Sequence, residues 1–383
     1  MPARARDGRR EAGAEECGRR CAVQRRHARR PSRRLAERDA PDPPRDVPIA
    51  PGKHRFEQTI AVRRKSCYPQ EMSPLRMLLE RRRSVVIMGV LNRTPDSFSD
   101  GGRFADEDTA LAQIDAMLSE GADMIDIGAE STRPGARPVP DDEQIARIGG
   151  SVRDAVKRGA VVSIDTTSPA VAARALDDGA AVVNSISLDS AAELGALCAR
   201  RGASLVLMHS RGPMSAMAGF SAYPDDAYDD VVADVAREWS SAAARALEAG
   251  LPEGELVLDP GLGFAKNARQ SLELCARMHE LCALGFPVLV GPSRKSFLAR
   301  AAASEAAARG GGEEALLAPP PDRLGGTVAA AIACAARGAA AVRVHDVRPV
   351  RQALDVMRAI ERAGAGDRRR PDGPVAQGAR ADG

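Results

Sequence analysis

Short apolar, β-branched segments alternate with Ala-rich segments of helical periodicity from residue 84 to residue 363. The predicted strands are residues 84–90, 123–127, 161–165, 181–184, 204–208, 255–259, 287–290 and 341–344. The predicted helices are residues 106–120, 141–157, 169–178, 191–200, 226–249, 267–284, 324–337 and 347–363. The pattern therefore predicts eight consecutive units, each a strand followed by a helix.

The predicted strands are too uniformly apolar for a sheet with one face in water, so we expect parallel strands buried on both faces. A closed (β/α)8 TIM barrel accommodates eight such units in this length and is the predicted fold. A doubly wound open sheet is the alternative, although the GxGxxG turn expected after its first strand is absent. Residues 301–322 are expected to form a flexible insertion.

The two ends of the chain have a different composition. Residues 1–83 hold 23 basic and 11 acidic residues, with paired arginines, a Pro-rich stretch and weak apolar periodicity. Such a segment buries too little apolar surface to fold, so we predict a basic, largely disordered extension and a similar tail at 364–383. A transit peptide or a nucleic-acid-binding arm are the alternatives for the extension; a secretory signal would need an apolar core that is absent.

Charge and cysteine usage exclude several classes of protein. Residues 84–383 hold 32 basic and 41 acidic residues, so we expect no nucleic-acid partner for the barrel. No apolar run approaches the ~20 residues of a membrane-spanning helix, so we expect no membrane partner either. The seven cysteines show no CxxC pair or Cys/His ligand spacing, which argues against a disulfide framework or structural zinc. A reducing, cytoplasmic location is therefore predicted.

Polar residues stand at the end of every predicted strand. In a parallel barrel the carboxyl ends of the strands share one rim, where barrel enzymes carry their chemistry. These ends carry Asn92, Asp126, Asp165, Asn184, His209, Asp259, the Ser293–Ser296 stretch, Arg343, His345 and Asp346. Taken singly, Asp165, Asp259 and Asp346 would also fit as caps of the following turn or helix, and Asn184 would fit as a turn residue. Taken together, the eight polar ends predict an active site on the rim.

The residue types at the rim indicate the chemistry of its ligands. Oxygens of Asp165, Asp259 and Asn184 suit adjacent N–H donors on a flat heterocycle such as an aminopyrimidine or a pterin. Several cations surround these residues and suit a phosphate or diphosphate: Arg133, Arg294, Lys295, Arg343 and His345. Arg133 and Arg294 could instead be solvated loop residues. Asn92 offers a neutral oxygen to a Mg²⁺ that takes its other ligands from phosphate and water. GxxxxGK[ST], GxSxG and HExxH motifs are absent.

Eight stretches, one at each strand end, resemble the dihydropteroate synthase family and follow its order. They are MGVLNRTPDSFSDGG (88–102), ESTRPGA (130–136), SIDT (163–166), VVNSIS (182–187), MHSRG (208–212), DPGLGFAK (259–266), SRKSFL (293–298) and VRVHDV (342–347). The resemblance covers residues 84–363. It implies a Mg²⁺-dependent, typically homodimeric and sulfonamide-sensitive transferase that joins 4-aminobenzoate to 6-hydroxymethyl-7,8-dihydropterin diphosphate, releasing 7,8-dihydropteroate and diphosphate.

The same resemblance implies roles for individual residues, which remain expectations at this point. The implied pterin pocket is Asp165, Asn184, Met208, Asp259 and Lys295. The implied diphosphate anchors are Arg343 and His345, and the implied Mg²⁺ ligand is Asn92. The implied aminobenzoate side is Phe98, Thr132, Arg133, Pro134, Phe264 and Ser296. Lys295, Asp165, Arg343 and His345 are the implied catalytic residues.

Two positions depart from the family pattern. Arg93 follows Asn92 where the family usually has a small or β-branched residue, which we expect to add charge beside the metal and diphosphate. Ser185 follows Asn184 where the family usually has Asp, which we expect to alter support of the turn rather than binding. These departures leave a repurposed, pterin-binding paralogue open. Two further hypotheses are a pterin-dependent methyltransferase domain and a non-catalytic barrel that binds pterin or a protein.

Overall fold

The computed structural model describes residues 72–81, 84–93, 102–130, 138–212, 221–310 and 317–365. The strands are β1 (Val86–Asn92), β2 (Met124–Gly128), β3 (Val161–Asp165), β4 (Val182–Ser185), β5 (Ser204–Met208), β6 (Leu256–Asp259), β7 (Leu289–Val290) and β8 (Ala341–Val344). The helices are α1 (Pro74–Arg81), α2 (Gly102–Ser119), α3 (Asp141–Ile148), α4 (Ser151–Lys157), α5 (Pro169–Asp177), α6 (Ala191–Arg201), α7 (Val231–Glu248), α8 (Ala268–Ala276), α9 (Met278–Cys282), α10 (Ser296–Ala308), α11 (Leu324–Ala335) and α12 (Val347–Gly364).

The strands form one parallel sheet in the order β6-β5-β4-β3-β2-β1-β8-β7. The two ends of this order meet where Leu258 of β6 bridges Val288, just before β7, and the Leu258 amide donates to Pro287 O at 2.9 Å. That bridge closes the sheet on itself, because β6 and β7 would otherwise be its edges. The predicted TIM barrel is confirmed, and the open-sheet alternative is wrong.

Alternation along each strand sorts the apolar residues into two cores. Val86 and Met88 of β1 belong to a small cluster with Met124, Val182, Val206, Val257, Leu289 and Ala341, which fills the barrel interior. Ile87 and Leu91 belong instead to the large cluster between the strands and the surrounding helices. Because successive side chains of a strand point to opposite faces, an unbroken apolar run supplies both cores at once.

The barrel begins earlier than the sequence predicted. Residues 74–81, which we assigned to the disordered extension, form α1. Leu75 of this helix is 2% exposed and joins the interior cluster. Ser73 lies just before α1, and its amide donates to Glu255 Oε1 at 3.3 Å, while Ser204 Oγ donates to Glu255 Oε2 at 2.6 Å. These contacts attach α1 to the barrel end opposite the polar rim, so it closes the apolar core there.

Helix boundaries also differ from the prediction. The helix predicted at 141–157 is two helices, because Gly149 takes a φ of 52° between α3 and α4. The helix predicted from 226 begins at Val231, where Asp230 caps α7 by accepting from Val232 N at 2.9 Å. Residues 301–308, predicted to be a flexible insertion, continue α10. Among the described helices, none is both long and apolar enough to cross a bilayer.

Candidate functional site

The polar rim follows from the same alternation that builds the interior core. Side chains that point into the barrel recur at every second residue of a strand. The residue two positions after an interior apolar residue therefore also points inwards, one level nearer the carboxyl end of the strand. On β2, β4, β6 and β8 this step leads from Met124 to Asp126, Val182 to Asn184, Val257 to Asp259 and Ala341 to Arg343. The barrel interior therefore carries an apolar layer below and an ionic layer above it, which forms the candidate active site.

Arg343 lies at the centre of the ionic layer. Its Nε donates to Asp126 Oδ2 at 2.6 Å, and its Nη2 donates to Asp165 Oδ2 at 2.8 Å. Asn184 Nδ2 also donates to Asp126 Oδ2, at 3.1 Å. The Asp126 side chain is fully buried, and its Oδ1 has no hydrogen-bond partner among the described residues. One guanidinium and one amide thus hold two carboxylates together, with an acceptor oxygen left for a ligand.

Asp165 is a carboxylate of this cluster whose charged form is disfavoured by burial. Burial raises the pKa of Asp165 to about 7, since desolvation outweighs the stabilising guanidinium of Arg343 and the carboxylate of Asp126 adds repulsion. The Asp165 side chain is still 10% exposed. A carboxyl group that changes charge near neutral pH at the floor of an open barrel end is typical of a functional site.

Lys295 contacts the loop that follows β6. Its Nζ donates to Leu262 O at 2.6 Å and lies 4.4 Å from the centre of the Phe264 ring. Burial lowers the pKa of Lys295 to about 8, although the nearby carboxylate of Asp259 opposes this shift. Lys295 is therefore an ammonium group held between a carbonyl, an aromatic face and the acidic floor of the pocket.

Asp259 ends β6 and organises the loop beyond it. Its Oδ1 accepts from the amide of Gly261 at 2.8 Å, and burial raises the pKa of this carboxyl. Gly261 has a φ of 67°, and a Cβ at that position would lie 2.0 Å from His209 O. The turn function that we considered for Asp259 is thus real, and the carboxylate also lies in the pocket beside Lys295. Met208, which is 3% exposed, packs beneath the same turn.

His345 is oriented by a serine that we did not assign to the site. Ser293 Oγ lies 3.0 Å from His345 Nδ1 and accepts from the His345 amide at 3.1 Å. Burial, together with Arg343 and Arg294, lowers the pKa of His345 to about 4, so its imidazole is neutral. In the tautomer in which the Ser293 hydroxyl donates to Nδ1, the proton lies on Nε2, and that nitrogen is a hydrogen-bond donor at the rim.

The helix-capping alternatives are resolved for two of the aspartates. Ser168, not Asp165, caps α5, because its side chain accepts from Val171 N at 3.3 Å. Asp346 precedes α12 without a capping hydrogen bond and instead accepts from Arg294 Nε at 2.9 Å. Arg294 is therefore bound to the carboxylate of Asp346 and is not a solvated loop residue.

The two departures from the family pattern lie beside the pocket rather than in it. Arg93 is 7% exposed, and its Nε donates to Arg147 O at 3.0 Å on the helix side of the barrel. The charge that we expected beside the metal and diphosphate is thus directed towards α3. Ser185 Oγ accepts from Ser187 N at 3.3 Å and lies 3.0 Å from Ser190 Oγ. It supports the turn after β4, while Asn184 keeps its place in the pocket.

The remaining predicted residues differ in what the structure describes. Asn92 is exposed at the end of β1, and Ser296 opens α10 with its Oγ 3.0 Å from Ser221 Oγ. Phe98, Thr132, Arg133 and Pro134 lie outside the described residues. Within the described ranges, no group of three or more His, Cys, Asp or Glu residues could hold a metal ion.

The sequence reasoning missed the roles of two residues. We noted Asp126 at a strand end but did not assign it to the pocket. Its signal was available, since it lies two positions beyond the interior residue Met124. Lys266 ends the DPGLGFAK stretch and is fully buried among hydrogen-bond acceptors. Its burial could not be predicted, because a lysine at a loop end is normally solvated.

Comparisons with known proteins agree with this geometry. Residues 88–345 match the family described as pterin binding enzyme. A dihydropteroate synthase of Mycobacterium leprae is 40% identical over 281 residues, which cover 73% of this chain and 95% of that protein. A probable bifunctional folylpolyglutamate synthase/dihydropteroate synthase of Haloferax volcanii is 43% identical over 68% of this chain, which spans 29% of that longer protein.

A solved structure gives the same result. The dihydropteroate synthase of Xanthomonas albilineans with 4-aminobenzoic acid superposes with a TM-score of 0.63 and 36% identity, covering 73% of this chain and 94% of that one. The identity is high enough, and the coverage wide enough, to show common family membership as well as a common fold. The chain therefore belongs to the dihydropteroate synthase family of pterin-binding enzymes.

Proposed function

We propose that this protein joins 4-aminobenzoate to 6-hydroxymethyl-7,8-dihydropterin diphosphate, releasing 7,8-dihydropteroate and diphosphate. The observation that carries the proposal is the cluster of acceptors at the barrel mouth next to the ammonium of Lys295: the buried Asn184 and Asp259, and Asp165, whose side chain is 10% exposed. A flat heterocycle with adjacent N–H donors and one acceptor complements such a cluster.

In the proposed pterin site, the carboxylates accept from the ring N–H and amino groups, and Lys295 donates to a ring acceptor. Asp126 Oδ1, which is buried without a partner in the described part of the chain, offers a further acceptor. The thioether of Met208 supplies an apolar surface for the ring to pack on. Lys295, Asp165, Arg343 and His345 are the residues that we propose for catalysis.

The diphosphate is proposed to lie at the rim, where Nε2 of His345 donates to it and Arg343 supplies positive charge from below. Asn92 is suited to Mg²⁺, because an exposed neutral amide oxygen complements an ion whose other ligands come from phosphate and water. Bound Mg²⁺ would neutralise charge on the departing diphosphate.

The aminobenzoate is proposed to bind against Phe264 and Ser296, with Phe98, Thr132, Arg133 and Pro134 contributed by the segments after β1 and β2. Its amine attacks the pterin methylene carbon as the bond to the diphosphate oxygen breaks, and the nitrogen then loses one proton to the departing diphosphate or to water. The amine is already a nucleophile in its neutral form, so the protein acts mainly by positioning the two substrates and stabilising the leaving charge. No covalent enzyme intermediate is required, and a sulfonamide would compete at the same place.

A cytoplasmic homodimer completes the proposal. Both properties are carried over from the family resemblance. Light scattering during gel filtration would measure the mass of the particle, and a mass of one chain would contradict the dimer.

The decisive experiment is a product assay with dihydropterin diphosphate, radiolabelled 4-aminobenzoate and Mg²⁺. We expect Mg²⁺-dependent dihydropteroate from the native protein, a loss of at least a hundredfold with Lys295→Ala, and unchanged activity with Lys157→Ala. Lys157 is a suitable control because its side chain is 73% exposed on α4. Folded protein that binds pterin but forms no product would overturn the synthase and favour the repurposed paralogue or the methyltransferase domain.

A further inference from the structure

The loop between β6 and α8 contains a lysine that the proposed mechanism does not use. The Lys266 side chain is fully buried, and its Nζ has three acceptors within reach. It lies 2.9 Å from His209 Nδ1, 3.0 Å from Phe264 O and 3.3 Å from His209 O. Burial lowers the pKa of Lys266 to about 7. In its ammonium form the side chain has three N–H bonds, and this arrangement satisfies each of them.

The histidine beside this lysine is neutral and has a defined tautomer. Burial, reinforced by Lys266, lowers the pKa of His209 to about 4. Its Nε2 lies 3.0 Å from Glu238 Oε2, and the hydrogen bonds from His209 and Arg211 hold the pKa of Glu238 well below its usual range. Since that carboxylate only accepts, Nε2 carries the proton and Nδ1 accepts from Lys266.

Further contacts connect Glu238, through Arg211 and Tyr228, to the same loop between β6 and α8. Arg211 Nε donates to Glu238 Oε2 at 3.1 Å, and its guanidinium lies 3.8 Å from the centre of the Tyr228 ring. The Tyr228 hydroxyl donates to Ala265 O at 2.9 Å. Ala265 has a φ of 46°, a left-handed conformation that is unfavourable for a residue with a Cβ. The loop is therefore held in a strained shape by contacts on both sides of Ala265.

Phe264 is the residue through which this network reaches the pocket. Lys266 donates a hydrogen bond to the Phe264 carbonyl, and Tyr228 donates one to the next carbonyl along the chain, that of Ala265. The Phe264 ring faces the ammonium of Lys295, with 4.4 Å between Nζ and the ring centre. Moving the Phe264 backbone would move the ring that we place on the aminobenzoate side. A polar network of this kind fixes a geometry only when all its members are satisfied.

We propose that Lys266 is a positioning residue, whose buried amino group fixes the backbone of Phe264 and thereby the aminobenzoate side of the pocket. The inference rests on the proposed function, because it assigns Phe264 to that substrate. Lys266 itself touches neither substrate. It acts on binding of the second substrate, because three residues of the proposed pterin floor, Asp126 on β2, Asp165 on β3 and Asn184 on β4, lie outside this loop.

The test is a comparison of steady-state constants for Lys266→Met and Lys157→Met. We expect Lys266→Met to raise KM for 4-aminobenzoate about tenfold, the loss of one charge-assisted hydrogen bond. In the same variant, KM for the dihydropterin diphosphate should change by less than about threefold, which is less than the loss of one hydrogen bond would cause. Lys157→Met, which removes an exposed lysine, should leave both constants unchanged. Equal changes in both KM values, or none in either, would overturn the proposal.

Two further variants keep the proposal testable if Lys266→Met fails to fold. Tyr228→Phe removes only the hydroxyl that binds Ala265 O, and it should raise KM for aminobenzoate in the same direction; no change would contradict the proposal. His209→Gln keeps an acceptor for Lys266 and a donor for Glu238, so it should retain more aminobenzoate affinity than His209→Leu. An inactive native protein would instead refute the proposed function, independently of these variants.

Discussion

Arg343 on β8 donates from Nε to Oδ2 of Asp126 on β2 across 2.6 Å, although 217 positions separate the two residues in the chain. The pair joins strands on either side of β1 at the level of the pocket floor. Asp126 is fully buried, and this guanidinium and the amide of Asn184 are the two side-chain donors to its Oδ2. Among the described residues, Arg343 binds one other carboxylate, that of Asp165. The position of Arg343 against Asp126 therefore also determines where the Asp165 carboxylate is held.

Replacing Asp126 tests the pair directly. Asp126→Asn keeps the shape of the side chain but removes the charge that holds Arg343, so Arg343 and Asp165 lose their relative position. We expect KM for the dihydropterin diphosphate to rise at least about tenfold, which corresponds to one hydrogen bond to a charged group. Asp115→Asn is the matched control, since Asp115 also accepts from one arginine, Arg158, at 2.7 Å but on the surface of α2. Similar KM values in both variants would contradict this role.

The pH dependence of substrate capture follows from two perturbed groups. Asp165, with its pKa raised to about 7, has to be ionised to accept from the pterin, so activity should fall as the pH drops through 7. Lys295, with its pKa lowered to about 8, has to be protonated to donate, so activity should fall again as the pH rises through 8. We expect a narrow bell-shaped profile of kcat/KM for the dihydropterin diphosphate.

Each limb of this profile can be assigned with one substitution. Asp165→Asn cannot ionise, so the acid limb should disappear from a lower but measurable profile. Lys295→Arg stays charged, because the pKa of a guanidinium lies far above that of an amine, so the alkaline limb should move above about pH 9. A profile whose limbs persist in both variants would show that other groups, or the substrates themselves, titrate there.

Gly261 is expected to be irreplaceable for steric reasons. Gly261→Ala places a Cβ 2.0 Å from His209 O, so either the turn after β6 or the end of β5 has to move. Gly285→Ala is the control, because Gly285 has a φ of 88° but open space around it, and we expect it to cost only about 1–2 kcal/mol. Unfolding in urea, followed by fluorescence of the buried Trp239, measures the free energy of unfolding of both variants. The Gly261 variant should lose clearly more of this free energy than the Gly285 variant.

Leu75 tests whether α1 is part of the barrel. Leu75→Ala should lower the free energy of unfolding by about 2–5 kcal/mol, because it leaves a cavity in the interior cluster. Leu272→Ala makes the same change at a side chain that is 41% exposed on α8, so it should cost less than about 1 kcal/mol. Equal losses in the two variants would mean that α1 does not contribute to the core.

The periodicity of the chain was sufficient to predict the barrel, since eight apolar strands alternating with helices have few other ways to be buried. It was also sufficient to place Asp165, Asn184, Asp259 and Arg343 on one rim, because strand ends converge there whatever the loops do. Capping was harder to predict from sequence. Asp165 and Ser168 were both acceptable caps for α5, and the structure selects Ser168.

The sequence by itself determined the order of the eight strands, the rim at which their polar ends meet and the family, because these depend on local periodicity and motif. Tertiary structure alone decided which charges meet. It paired Arg343 with Asp126, turned Arg93 towards Arg147 and buried Lys266 against His209. Such contacts join distant parts of the chain, and their energies depend on desolvation and distance, which exist only once the barrel has closed.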